Sequence, residues 1–283
     1  MSPSSPKARR ARPLLGTVVE VRIDTATAPP GAAIVAAFEA VARVQRLMSF
    51  HGPDSDLTRL NRMGHCRPVP LHPWTVDVLR RAQALHRATG GLFDPAVAPA
   101  LVDLDFLPMP TADRPGRGTI ADLVVEGGAG FSDRPLWLDL GGIAKGYAVD
   151  RAVDALRTAG ATAGAVNAGG DLRVFGEAPQ AITVRDPADP GRHWSLGEFQ
   201  EAAIATSAGY HIARATAAGP VMPVIDPRDG RALPVGPSVT VVAADCVTAD
   251  ALTKPVLLSG LASPPWLAAL GGQALWLDGK DTA

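Results

Sequence analysis

The chain is poor in the residues that mark several common function classes. It has two cysteines in 283 residues, Cys66 and Cys246, outside any CxxC or paired His/Cys spacing. A disulfide framework and a cysteine-rich zinc site are thereby excluded. Aromatic residues make up 5%, a thin supply for a base-stacking surface. The formal net charge is −1, so no excess of either sign draws the chain to nucleic acid or to an anionic membrane. No stretch approaches the ~20 apolar residues of a membrane span. The six histidines show neither H-x3-H nor HExxH spacing. Ser55, Ser207 and Ser259 lack the G-x-S-x-G context of a hydrolase elbow. From these absences a cytoplasmic protein is expected, with no nucleic-acid partner and no membrane span.

What is present forms a core. Hydrophobic residues are 47% and charged residues 19%, which excludes disorder, and the length suffices to bury a core without covalent staples. Lys7, Arg9, Arg10 and Arg12 precede an apolar run that Glu20 and Arg22 interrupt, so no secretory signal is read here. Residues 1–12 are expected as a flexible basic tail and 13–283 as a single domain. Val19, Val21 and Ile23 alternate and predict a strand over 17–23. Ile34, Phe38, Val41 and Met48 recur at helical spacing and predict a helix to Met48. Asp54 or Ser55 caps a short helix through Asn61. Trp74, Val78, Ala82 and Leu85 mark another, stopped by Thr89-Gly90-Gly91. Residues 103–133 lack periodicity. Leu136 to Leu140 reads as a strand ending at Gly141-Gly142, before a helix with Val149, Val153 and Leu156. Short strands are expected around 163–167, 172–175, 181–185, 202–206, 222–225, 238–244 and 273–278. Thr248 caps a last helix beginning near Ala249. Strands and helices without steady βαβ alternation indicate an α+β fold.

Three glycine-rich stretches carry the chemistry. In Asp139-Leu140-Gly141-Gly142-Ile143-Ala144-Lys145-Gly146 a strand ends, two glycines let backbone approach a ligand, and a helix begins. Its free amides and Lys145 suit an anion, although a plain strand–helix turn fits as well. Asn167-Ala168-Gly169-Gly170-Asp171 offers close backbone approach with two polar handles, or simply a hairpin turn. Thr206-Ser207 places two hydroxyls at a strand end, for a phosphate or sugar or for an ordinary capped turn. Asp226 before Pro227 reads as an Asx turn. Asp250, in the first turn of the last helix, suits the helix dipole.

Taken in order, these stretches resemble the ApbE family, the flavin transferases that move FMN from FAD onto a hydroxyl of a target protein. The matching blocks are Leu15-Gly16-Thr17, Met48-Ser49 with 53–61, Gly91-Leu92-Phe93-Asp94-Pro95, 139–150, 167–171, Ala205-Thr206-Ser207, Ile225-Asp226-Pro227 and Ala249-Asp250-Ala251-Leu252. The run Gly-Gly-Ile-Ala-Lys-Gly-Tyr-Ala-Val-Asp is the most specific. The resemblance implies a two-lobed α+β fold with mixed sheets and FAD in a cleft between the lobes. It implies that Asp250 and Ala144, the latter through its carbonyl, hold magnesium beside the FAD pyrophosphate. Lys145 lies close by, so that Asp250 and Lys145 carry the catalysis. It implies that Gly141, Gly142, Asn167, Gly169, Gly170 and Asp171 line the nucleotide, and Thr206 and Ser207 the same cleft. His51 takes the place of an aromatic near the flavin ring. The implied partner is a target flavoprotein that accepts FMN on Thr or Ser, with AMP released. Magnesium, a lysine and backbone amides at a helix start would neutralise the charge on the departing AMP.

Four positions depart from the family pattern. Lys254 stands where a Thr is expected four residues after Asp250, with Thr253 one place early and Pro255 next. Pro223 replaces the His before the Ile-Asp-Pro run, Ala208 interrupts Thr-Ser-Gly, and His51 replaces the aromatic. A lysine cannot ligate metal while charged. Two arrangements follow: the ammonium stands in for the metal beside Asp250, or the long stem swings to solvent and leaves magnesium one ligand short; the second is the favoured expectation. The alternatives are a non-catalytic FAD-binding carrier or assembly protein, or an FAD pyrophosphatase in which water replaces the acceptor hydroxyl.

Overall fold

The computed structural model describes residues 7–111, 114–187, 189, 191–209, 213–217 and 219–277. The chain opens with a hairpin of β1 (Ala8–Leu14) and β2 (Thr17–Ala26), paired antiparallel from Ala8↔Ile23 to Leu14↔Thr17. Leu15 and Gly16 turn it with φ of 56° and 70°, the left-handed pair that matches strand twist. Residues 8–12 are therefore an edge strand and not a flexible tail: their backbone pairs with β2, whose Val19, Val21 and Ile23 are fully buried. Residues 1–6 lie outside the described residues.

Helix α1 (Pro30–Met48) begins with proline in its first turn, where a missing N–H costs nothing. It buries the stripe from Ile34 through Phe38, Val41 and Val44 to Met48. Helix α2 (Asp56–Met63) is capped by Ser55, whose Oγ accepts the Thr58 N–H at 2.9 Å. After β3 (Val69–Pro70) come α3 (Pro73–Ala88) and α4 (Ala98–Asp103). The aperiodic stretch then supplies a short 3-10 turn at Ile120–Asp122, β4 (Val124–Glu126) and β5 (Ala129–Phe131), the two strands joining β3 in a small sheet of order β3-β5-β4. Leu136 to Leu140, expected as a strand, is not one. Asn61 of α2 takes the place of a neighbouring strand. Its side chain donates to the Leu138 carbonyl and accepts the Leu138 N–H, both at 2.9 Å. The Asp139 N–H goes to the Pro95 carbonyl at 2.8 Å.

Helix α5 (Ala144–Thr158) leads to the hairpin β6 (Ala161–Ala168) and β7 (Asp171–Phe175), then to a ribbon of β8 (Gln180–Arg185) and β9 (His193–Phe199). Strand β10 (Ala202–Ser207) returns to the main sheet. β11 (Arg214–Thr216), β12 (Gly219–Ile225) and β13 (Ala232–Pro234) make a second small sheet. The chain continues through β14 (Ser238–Ala243), α6 (Cys246–Ser259), α7 (Pro265–Ala269) and β15 (Gln273–Leu277). Helix α6 is capped by Asp245, which accepts the Thr248 N–H at 3.0 Å, and not by Thr248. Asp250 is therefore its fifth residue and lies beyond the first turn.

Seven strands form the main sheet in the order β1-β2-β6-β7-β10-β14-β15. Among the described residues every strand pair is antiparallel, in place of the mixed sheets the resemblance implies. The fold is α+β. Helix α1 packs on α5, α5 on α6 and β6, and α6 on β10 and β14, around one continuous core. Gly146 sets how closely α5 and α6 approach. A Cβ there would overlap the Cys246 carbonyl and stand 2.7 Å from Asp250 Cβ.

Candidate active site in the cleft beside the main sheet

A cleft of about 1090 Å³ opens where the ends of β2, β6, β7 and β10 face residues 92–107, the β8–β9 ribbon and β12. Drug-sized ligands occupy ~300–1,000 Å³, so this space suits a larger molecule such as a dinucleotide. Leu92, Phe93, Phe106, Leu107, Met222 and Val224 give it an apolar wall. Gly141, Gly142, Lys145, Asn167, Gly169, Gly170, Thr206 and Ser207 all line it, as do Asp139 and Lys254. Asp171 and Asp250 are buried behind that lining, at 2% and 0% exposure. Ala144 is buried at the first position of α5 and does not line the cleft. His51 is exposed and lies outside the lining. Its N–H and that of Gly52 donate to Ser49 Oγ at 3.2 and 3.1 Å, which holds that loop turned beside the site.

Four charged side chains meet at the start of α5. The Lys145 ammonium pairs with Asp171 and stands 3.7 Å from Asp250 Oδ1. Lys254, one turn after Asp250, bonds Asp250 Oδ1 and donates to the Asp250 carbonyl at 2.8 Å. The lysine does not swing to solvent; its stem lies against Gly142, whose missing Cβ would stand 3.4 Å from Lys254 Cε. Burial pushes the Asp171 carboxyl up to about 6, with the Asp250 charge adding to it and Lys145 opposing. Burial also acts to raise Asp250, but Lys145, Lys254 and the Gly146 N–H outweigh it and hold that carboxyl below its ordinary value. Burial alone would lower Lys145. Asp171 and Asp250 reverse this and keep it charged.

The helix start does not offer a free set of amides. The Ala144 N–H bonds the Leu140 carbonyl at 2.8 Å, the Tyr147 N–H bonds Ile143, and the Gly146 N–H donates to Asp250 Oδ2 at 2.9 Å. Charge at this end of the cleft comes mainly from lysine side chains. Asn167 closes the β6–β7 turn by accepting the Gly170 N–H at 2.9 Å. Gly169 and Gly170 adopt φ of 66° and 105°, and a Cβ on Gly169 would stand 2.5 Å from Thr17 Oγ1. This stretch is both a hairpin turn and part of the lining. Thr206 Oγ1 lies 2.8 Å from Thr240 Oγ1. Ser207 Oγ lies 2.7 Å from Thr253 Oγ1, which itself donates to the Asp250 carbonyl at 2.8 Å. With the single Thr253 proton so engaged, Ser207 donates and keeps its lone pairs for the cleft. Asp226 makes the Asx turn, accepting the Arg228 N–H at 2.9 Å.

The implied magnesium does not fit these residues. Both carboxylate oxygens and the carbonyl of Asp250 already accept from Gly146, Lys254 and Thr253. Two ammonium groups stand where a divalent ion would have to approach. Among the described residues, no group of three or more His, Cys, Asp or Glu side chains is arranged to hold a metal. Asp245, at the start of α6, is engaged as its cap.

Sequence reasoning missed two contributors. One is the β8–β9 ribbon, which brings Arg185 and His193 to the cleft and has no motif to announce it. The other is Asp139, held beside the Gly141 N–H at 3.2 Å. Burial raises its carboxyl, against the charges of His51 and Lys254. Its position just before the Gly-Gly turn was the available signal. No helix among the described residues is long and apolar enough to cross a membrane.

Known proteins share this architecture. The chain is 31% identical over 232 residues to a Vibrio cholerae protein named FAD:protein FMN transferase, covering 75% of this chain and 69% of the relative. It is 28% identical over 221 residues to a Rhodobacter capsulatus protein of the same name, covering 71% of this chain and 42% of that longer relative. Its structure is similar to that of the flavin transferase ApbE from Vibrio cholerae, with a TM-score of 0.80, 26% identity and coverage of 98% and 95% of the two chains. The ApbE family profile matches residues 15–276, and the chain belongs to the ApbE family.

Proposed function

We propose that the protein transfers FMN from FAD to a Thr or Ser hydroxyl of a target flavoprotein and releases AMP. The observation that carries this reading is the pairing, in one large cleft, of an apolar wall with a lysine-bearing, glycine-lined end. A flavin ring suits the first and a pyrophosphate the second. The names of the Vibrio and Rhodobacter relatives support the same reaction. In it, the acceptor oxygen attacks the FMN phosphorus. The bond from that phosphorus to the bridging oxygen breaks, and AMP departs with the bridging oxygen and its electron pair. Lys145 and Lys254 face the charge that develops there. Gly141, Gly142, Gly169 and Gly170 let backbone come close to the nucleotide, with Asn167, Thr206 and Ser207 as polar contacts. Asp171 and Asp250 position the two lysines from behind.

The hydroxyl proton needs an acceptor. Three carboxylates line the cleft among the described residues. Glu20 pairs with Arg9, and Asp94 accepts the Ala96 and Ile120 amides and faces His86. Asp139, raised by burial and bonded through Oδ1 to Gly141, is the group we assign to take the proton. Magnesium is given no step, because Lys254 and Lys145 stand against it.

The test is incubation with FAD and a purified acceptor flavoprotein, read as covalent flavin fluorescence on a denaturing gel and as AMP release. A labelled acceptor band with equimolar AMP supports transfer. AMP without a band means hydrolysis, and neither product means binding alone; either result rejects the proposal.

A further inference from the structure

We propose that Lys254 takes the place of a divalent cation, so that this protein binds the FAD pyrophosphate without metal. The inference rests on the reading that FAD occupies the cleft. Its starting point is helix geometry: positions 250 and 254 share one face, and the Lys254 ammonium curls back onto both the carbonyl and Oδ1 of Asp250. It is the inner partner of a buried carboxylate, with only 20% of its side chain exposed. Gly142 leaves room for its stem on the cleft side.

The charges balance without metal. Asp171 and Asp250 supply two negative charges, and Lys145 and Lys254 two positive ones. A divalent ion added here would face two like charges and find no free oxygen on Asp250. The ammonium groups can also serve the ligand directly. Each carries three N–H donors. Lys254 directs two of them at Asp250 and Lys145 one at Asp171. Donors therefore remain on both lysines for phosphate oxygens, and both residues line the cleft.

The experiment is FAD titration of the full-length, metal-stripped protein by flavin fluorescence quenching, in excess EDTA and in millimolar magnesium. The wild-type Kd should differ by less than about twofold between the two buffers. Lys254→Thr, which restores an oxygen and removes the charge, should bind at least tenfold more weakly in EDTA and regain affinity with magnesium. Lys254→Arg should keep metal-independent binding, and its melting temperature and that of Lys254→Thr show that each variant is folded. Wild-type binding that weakens tenfold or more in EDTA overturns the inference and leaves FAD binding intact. Equal affinity of folded Lys254→Thr and wild type in EDTA overturns it too, by showing that the ion pair is only structural. No saturable binding of FAD to the wild type in either buffer overturns both this inference and the function it rests on.

Discussion

The starts of α5 and α6 meet at Gly146, and each helix supplies a carboxylate to the other. Asp150 of α5 accepts the Cys246 and Val247 amides of α6 at 3.0 and 2.8 Å. Asp250 of α6 accepts the Gly146 amide of α5. The backbone roles are reciprocal, yet the cations differ. Asp150 is sealed by Arg173 at 2.6 Å, whose side chain is only 15% exposed. Asp250 is held by two lysines that line the cleft. Burial leaves the Asp150 carboxyl raised, whereas the lysines hold Asp250 low. Two carboxylates with the same capping task thus diverge according to where their counter-charges face: one pairs with a buried arginine, the other with lysines that line the cleft, where the proposed function has it position groups for a ligand.

That comparison can be broken most sharply at Asp150. Asp150→Ala should destabilise the protein by about 3–5 kcal/mol, the cost of leaving a buried cation unpaired, as a lower midpoint in chemical denaturation. A loss comparable to that of an exposed ion pair would show that Asp150 and Asp250 do not differ as argued. Gly146→Ala comes next, at about 3 kcal/mol, because the new methyl meets backbone and only separation of the helices relieves it. Asp250→Asn should cost less stability, about 1–2 kcal/mol, since Asn can still accept from Gly146. It should nevertheless slow flavin transfer more than tenfold by releasing the lysines. Transfer at the parental rate would place Asp250 with Asp150 as purely structural.

Asp139 gives a pH test. Its carboxyl is raised by burial, so its basic form is lost on acidification at a higher pH than an ordinary carboxylate near ~3.9. Transfer should fall as pH drops through that raised value, and Asp139→Asn should be slow at every pH without the limb. A limb that survives the substitution would move the proton acceptor elsewhere. The smallest effect belongs to Ser207→Ala, about 1 kcal/mol for one neutral hydrogen bond to Thr253, visible as a slightly lower melting temperature.

What could be read from sequence followed from local chemistry. The Ser55 cap, the alternation in β2 and the helical stripe of α1 each follow from residues next to one another, and the ordered glycine blocks led to the family. The misread elements depended on distant partners. Leu136 to Leu140 has a strand's pattern, but Asn61 takes the hydrogen bonds. Residues 8–12 look like a solvated tail because an edge strand rich in arginine shows no apolar face. Thr248, read as the cap of α6, lies inside the helix, because the side chain that caps it is that of Asp245 three residues earlier. The orientation of Lys254 was hidden for the same reason: it depends on an unoccupied Cβ position at Gly142 and on a carboxylate shared with α5.

The edge strand has a consequence for how copies of this molecule meet. Among the described residues β1 is an edge of the seven-stranded sheet, and its outward row of backbone donors and acceptors is the kind of surface on which further strands add. That row carries Arg9, Arg10 and Arg12 with Pro13 close behind, so a second β1 laid against it would set arginine beside arginine and find one donor absent. The segment that resembles a solvated tail in sequence therefore disfavours, by like charge and by a missing donor, the addition of a second copy at this edge.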